Sequence, residues 1–408
     1  MTTETGASIE IEVTSSLAAV PGAAWDALAN PGWTVGRGGR LQAAGECRPA
    51  PFNPFVCHDF LSILEASGCV SARTGWLPQH LLVHDADGRL AAAVPAYLKN
   101  HSQGEYVFDH GWADAFERAG GDYYPKLQVS VPFTPATGPR LLAGAGPDAA
   151  ARRGLLADGL VALAREHRAS SVHVTFPTET EWRELVERGW LARTDRQFHW
   201  LNEGCGSFDD FLESLASRKR KQVRRERREA VADGIAIERV TGSDLTEAHW
   251  DAFYAFYRDT GERKWGRPYL NRRFFSLLGE RLAERVLLVL ARRAGRYVAG
   301  ALNLIGSDTL YGRYWGSIEE HPFLHFEVCY HQAIEFAIGR GLARVEAGAQ
   351  GEHKLARGYR PATTFSAHWI AHPGLRNAVA AYLERERSMV AEETEILAEH
   401  APFRRGDP

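Results

Sequence analysis

"LLVHDADGRLAAAVPAYLK" (Leu81–Lys99) and "LLVLARRAGRYVAGALNLIG" (Leu287–Gly306) carry the same pattern twice. Each alternates small and apolar residues, turns at a glycine followed by arginine (Gly88–Arg89, Gly295–Arg296), and resumes the alternation. That pattern predicts a strand, a tight turn and a second strand. Downstream, "LADGLVALAREHRASSVHVTF" and "YHQAIEFAIGRGLARVEAGA" each predict an amphipathic helix followed by a strand, with Gly341 placed to cap the second helix. Next come "EWRELVERGW" (Glu181–Trp190) and "EHKLARGY" (Glu352–Tyr359), two short helical stretches ending in Arg-Gly-aromatic. Three pairings in one order imply a duplicated unit. The unit is mixed α/β around a central sheet and closes on a strand such as "TTFSAHWIA". The polar, glycine-containing "NEGCGS" (Asn202–Ser207) places the boundary near Leu201, giving units 1–200 and 201–408. The first residues and the tail "RRGDP" read as loose, and "PGLRNAVAAYLERERSMVAEETEILAEHA" reads as a charged helix lying across the outside.

The totals agree with two units. A chain of 408 residues is too long for one ordinary core, and 45% hydrophobic with 24% charged residues is an ordinary globular balance. A net charge of −3 excludes a protein that is basic overall, so any anion-binding surface is local. The five cysteines (Cys47, Cys57, Cys69, Cys205, Cys329) form no CxxC pair, which argues for a reducing compartment and against a disulfide framework or a zinc site. The start "MTTETGASIEIEV" lacks a secretory pattern, and no apolar run reaches the roughly 20 residues of a spanning helix. A cytoplasmic protein is the expectation.

One local basic surface is evident. "SRKRKQVRRERREAVADG" (Ser217–Gly234) holds eight basic residues between Arg218 and Arg228, with Ser217 able to cap a helix start and Gly234 able to end one. The run is either a solvated helix or a landing site for phosphates. No aromatic residue interleaves with it, so stacking on single-stranded RNA is not encoded there.

The stretches "FYRDTGERKWGRPYL", "LYGRYWGSIEEHPFLHFEVCYHQAIEFAIGRGL" and "GAQGEHKLARGYRP", with "GWLPQHLLV", "YLKNHSQGEYVFDHGWA" and "YYPKLQVSVPFTPATGPRLL", resemble the FemAB-like family of predicted N-acyltransferases. The resemblance runs from about Asn53 to about Glu386. It implies two tandem domains of the GNAT acyltransferase fold, whose mixed sheet splays at the middle so that donor and acceptor meet in the cleft. It also implies a co-substrate, acyl-CoA or aminoacyl-tRNA, and an amino-group acceptor, plausibly a peptidoglycan precursor. The place of the family fold's pyrophosphate loop, "GSIEEHPFLHFEV", has no glycine-rich turn and carries Glu319, Glu320 and Glu327, charges that repel a pyrophosphate.

With the segment after the fifth strand facing such a cleft, Gln350 can donate to a carbonyl oxygen, and Glu352 or His353 can take a proton from an amine. Lys354 or Arg357 can hold a carboxylate or phosphate there. Glu352 can equally cap the short helix, with Lys354 and Arg357 facing water. His325 and Glu327 lie near a helix start on the same side. Glu327, His331 and Glu335 stand four apart, without the HExxH pattern of a zinc site. Lys264 and Trp265 ("RKWGRPYL") suit a sugar or peptide acceptor, and Arg313 in "YGRYWG" needs a partner, such as a substrate anion. In the first half, Tyr106 ("KNHSQGEYVFD") and Lys126 ("YYPKLQVSVPFTP") are candidate acceptor contacts. Arg218, Lys219, Lys221, Arg224 and Arg225 are the candidate donor-phosphate contacts. No metal is expected. The rival expectation is a non-catalytic module that recognises cell-wall fragments or RNA.

Overall fold

Hydrogen bonding carries one sheet through both halves of the chain. The computed structural model describes residues 10–45, 49–265, 268–349, 351–399 and 402–403, the side chains of 262–265 and 352 excepted. Eleven strands run from edge to edge in the order Ile235–Thr241, Val286–Arg293, Arg296–Ile305, Thr309–Ser317, Arg344–Glu346, Leu191–Leu201, Arg360–Ile370, Ser171–Thr175, Lys126–Val129, Ala96–Lys99 and Trp76–Pro78. Neighbours are antiparallel except for two pairs. Thr309–Tyr311 runs parallel to Arg344–Glu346, and Leu127–Val129 runs parallel to Val172–Val174. Parallel neighbours need a crossover, and each pair has its helix: Ala149–Glu166 in the first half, Gln332–Gly339 in the second.

The repeated hairpins both form, by different turns. In the second half Ala294 and Gly295 have φ of 49° and 78°, the two positive values of a tight primed turn. In the first half the Asp85 carboxylate accepts from the backbone N–H groups of Asp87 and Arg89, and Gly88 supplies the positive φ. Prolines then separate the two copies. Pro95 lies between strands Leu90–Val94 and Ala96–Lys99, and Pro78 ends strand Trp76–Pro78 before His80–His84. A proline has no N–H for the ladder, so pairing breaks there. The outer pieces join Glu10–Thr14 in a separate three-stranded sheet.

The closing strands change places. Leu191–Leu201, from the first half, pairs with Arg344–Glu346 of the second; Arg360–Ile370, from the second, pairs with Ser171–Thr175 of the first. They also pair with each other, from Leu191 opposite His368 to His199 opposite Arg360. The strand leading to Leu201 is therefore a shared element, not a connection between separate sheets. The Arg-Gly-aromatic turns before the closing strands are equivalent: Gly189 and Gly358 both have positive φ, and Trp190 and Tyr359 are buried.

The basic run is a helix, Ser217–Ala230, capped by Ala216 rather than Ser217. It docks through Val223, Glu226 and Ala230, the three residues it buries. The charged C-terminal helix, Pro373–Glu399, crosses strand Leu191–Leu201 outside the sheet, where Arg193 meets Glu386 at 2.8 Å and Arg196 meets Glu393 at 2.5 Å. Among the described residues no helix is long and apolar enough to cross a membrane.

Candidate active site

Each parallel pair is followed by loops that leave its strand ends, and in the second half Thr309–Ser317 runs on past the end of its pairing with Arg344–Glu346. In the first half the strands end at Val129 and Thr175. The next loop is wound around the fully buried Arg140 side chain, which donates to the carbonyls of Ala136 (2.6 Å), Thr175 (2.9 Å) and Gly138 (3.1 Å). Glu181, at the start of helix Glu179–Glu187, accepts from the backbone N–H groups of Arg140 (2.8 Å), Leu141 (2.7 Å) and Thr178 (3.0 Å). A loop whose buried polar groups are this fully paired is a fixed wall.

That wall bounds a cavity of about 390 Å³ between the halves. Thr137, Gly138 and Glu181 line it from the first half; Asp308, Tyr311, Arg344 and Glu346 line it from the second. Glu346 is 7% exposed, and among the described residues its Oε2 has no hydrogen-bond partner. Burial pushes its carboxyl up to about 7, although Arg344 pulls the other way. The imidazole nearest to it offers no charge: His199, opposite Glu346 in the ladder, has its Nε2 3.9 Å away and is held neutral by burial, down at about 4. A carboxylate poised near neutrality beside a cavity is what a general base requires.

In the second half the strand end Arg344–Glu346 leads through Ala347 and Gly348 into the tight helical turn Glu352–Arg357. His353 is exposed, and its Nε2 lies 3.0 Å from the Tyr330 hydroxyl, with the His325 and Phe326 rings beside it. Partial burial, then Arg357 and Lys354, hold the imidazole below its ordinary value. Tyr330 stands on a π-helical turn, Glu327–His331, a local departure often found at functional sites.

Several expected contacts are already occupied by the protein. Arg357 is buried; it donates to both oxygens of Glu226 (2.7 and 3.0 Å) and lies over the Phe326 ring at 3.3 Å, so it braces the basic helix and is not free to hold an anion. Lys354 is turned inward onto the carbonyls of Ala347 and Gly348, its ammonium lowered by burial to about 8. Neither of the two faces water. Glu327 pairs with Arg227 at 3.1 Å and accepts from Gln332 at 2.6 Å; the π-helical turn presents it to the basic helix rather than to a substrate. The partner Arg313 needs is the Phe133 carbonyl, 2.7 Å away, and Tyr106 bonds the same guanidinium. Lys126 is sealed among Asp109 (2.5 Å), Glu105 (2.7 Å) and Ser102 (2.7 Å), so it is not an acceptor contact. His325 and His353 do come together. Arg218, Lys221, Arg224 and Arg225 are exposed and Lys219 is half-buried, and none lines the cavity. Gln350 and the side chains of Glu352, Lys264 and Trp265 lie outside the described residues.

Sequence reasoning passed over Glu346, although "LARVEAG" shows one acid, two residues after Arg344, at the end of a strand. It also passed over Glu181, although Thr178-Glu179-Thr180-Glu181 has the capping-box spacing realised here.

Duplicated halves, a parallel strand pair in each and exchanged closing strands define a protein of tandem GNAT-like architecture with a polar cavity where the halves meet. The chain belongs to the FemAB-like family, described as peptidoglycan biosynthesis/recognition, whose model matches residues 16–405. Solved structures similar to it include FemX (13% identity, 79% of this chain and 93% of that chain, TM-score 0.49). They also include L-PGS from Bacillus licheniformis (8%, 84% and 96%, TM-score 0.47) and a tandem GNAT protein from the clavulanic acid biosynthesis pathway (12%, 90% and 99%, TM-score 0.44). No curated protein matches the chain significantly.

Proposed function

We propose that the protein is an N-acyltransferase that joins an activated acyl or aminoacyl group to an amine, with Glu346 as general base in the cavity between the halves. One observation carries this reading: Glu346, a buried carboxyl lifted to about 7 whose Oε2 has no hydrogen bond among the described residues, lines a cavity of about 390 Å³. An amine must lose a proton as it attacks. Its nitrogen bonds to the donor's carbonyl carbon, the bond from that carbon to the sulfur or oxygen leaving group breaks, and the proton passes to Glu346. Arg153 and Arg344 stand on the cavity walls, each with an acid beside it (Glu184 at 2.6 Å, Asp308 at 3.2 Å), where an anionic part of either substrate can be shared. The donor is acyl-CoA or aminoacyl-tRNA. The family description favours a peptidoglycan precursor as acceptor.

A second reading places the base on His353, because its neutral imidazole is exposed and already bonded to a hydroxyl. The two readings separate in one experiment. The protein is mixed with a muramyl-peptide amine and either acetyl-CoA or charged tRNA, and mass transfer is followed by mass spectrometry. Glu346→Gln is expected to lower turnover about 10²–10⁴-fold, without the rise in rate through pH 7 and with thermal unfolding at neutral pH no lower than that of the parent protein. His353→Ala is expected to retain most of the rate. The reverse result moves the base to His353. Saturable binding without transfer in any combination makes the protein a recognition module.

A further inference from the structure

We infer that the outer face of helix Ser217–Ala230 docks the protein on an anionic lipid bilayer. The inference stands on the surface alone and does not depend on the transfer reaction.

The helix divides cleanly. Its inner face buries Val223, Glu226 and Ala230, and Arg227 is consumed by Glu327 (3.1 Å) and Glu335 (2.6 Å). At 100° per residue, Arg218, Lys221, Arg224, Arg225 and Arg228 fall together on the opposite face, and all five are exposed. Among the described residues the one acid paired with Arg224 is the exposed Asp209, at 3.8 Å, and the one paired with Arg225 is Glu229, at 3.3 Å. Among the described residues no acid pairs with Arg218, Lys221 or Arg228. The chain's net charge is −3, so this cationic row is a local excess rather than a share of a general one.

Apolar side chains flank one end of the row. Val231, the residue that ends the helix, is 38% exposed, and Ile318, in the turn after strand Thr309–Ser317, is 46% exposed. That turn is tied to the helix exit: His321 lies 3.7 Å from Asp233, and Arg225 lies over the Phe323 ring at 5.6 Å. The Glu319 carboxylate of the turn is neutralised by Arg296 (2.9 Å) and Arg293 (3.5 Å), leaving exposed Glu320 as its opposing charge. A row of cations with aliphatic residues at its edge matches a bilayer interface, where phosphates meet the cations and the apolar residues enter among the headgroups. RNA would find cations but no exposed aromatic ring along the row on which to stack a base.

The test is co-sedimentation of the full chain with vesicles of phosphatidylcholine alone and of phosphatidylcholine with about 30% phosphatidylglycerol, beside a filter-binding assay with bulk tRNA. Binding to the phosphatidylglycerol vesicles only, weakening with salt, is the expected result. Each cation contributes roughly a five-fold gain in affinity, so Arg218→Glu/Lys221→Glu/Arg228→Glu, which removes three cations and adds three anions, is expected to bind more weakly by at least about a hundred-fold. Ile318→Asp is expected to weaken binding that persists at high salt. Equal vesicle binding by the triple variant, or tight tRNA binding without vesicle binding, overturns the inference.

Discussion

At the scale of residues, burial acts on titratable groups with opposite consequences in different places. Glu346 is raised, so the folded protein holds a proton that the unfolded chain has already released between about pH 4.5 and 7; the group makes the fold less stable as pH rises through that window. The cost is consistent with a residue kept for chemistry rather than for stability. His173 and His368 act the other way. They face each other across the exchanged strands, Nδ1 to Nδ1 at 2.7 Å, so one ring must donate and the other accept. Burial, then Lys126, lowers His173 to about 3, and burial, then His173, lowers His368 well below its ordinary value. Below an unfolded value near 6.5 the unfolded chain takes up protons that the folded pair refuses, so stability falls as pH drops from about 6.5 towards 3. Urea unfolding between pH 7 and 4 is expected to show this slope, and His368→Gln to reduce it by about one proton. An unchanged slope in the variant would mean the pair is not held neutral.

At the scale of elements, the second half's sheet depends on close contact between a strand and a helix. Helix Glu247–Trp265 lies on strand Thr309–Ser317 at Gly316, where a Cβ would stand 2.2 Å from the Phe256 carbonyl oxygen. Backbone cannot yield there as a flexible side chain would. Gly316→Ala is expected to cost about 2–3 kcal/mol in urea unfolding and to disturb Arg313 and Trp315 on the same strand; a neutral substitution would show that the helix can lift away. The basic helix is held differently, by ions. Glu226 joins Arg357 and, at 3.3 Å, His331, so the tight turn carrying His353 and the π-helical turn carrying Tyr330 are braced against one buried carboxylate. The five cations on the outer face take no part in that brace, which leaves them open to a partner.

At the scale of the whole molecule, the exchange of closing strands makes each half complete only in the presence of the other. Without the second half, Ser171–Thr175 would have an open edge and Leu191–Leu201 would lose both neighbouring strands, and such edges recruit other chains. Residues 1–201 expressed alone are expected to aggregate or remain unfolded by gel filtration and circular dichroism, and co-expression with residues 202–408 to restore a soluble pair. A cooperatively unfolding monomer from either half would contradict this. The same exchange brings Glu346 of one half beside Thr137 and Glu181 of the other, so the cavity exists only in the joined molecule.

The duplication, the mixed sheet, the two hairpins, the basic helix and the Arg-Gly-aromatic turns could all be read from the sequence, because each depends on residues near one another in the chain: alternation, a turn glycine, a helical period. The exchange of strands could not be read, because Leu191–Leu201 carries the same alternation whichever neighbour it pairs with. Nor could the roles of single charged side chains. Lys354, Arg357, Glu327 and Lys126 are reasonable contacts by type and position, yet tertiary packing supplies each with an internal partner, while among the described residues the Oε2 of Glu346 is left without a hydrogen bond. Residue type fixes what a group is able to do; whether it is free to do so is settled by what the fold brings within about 3 Å of it.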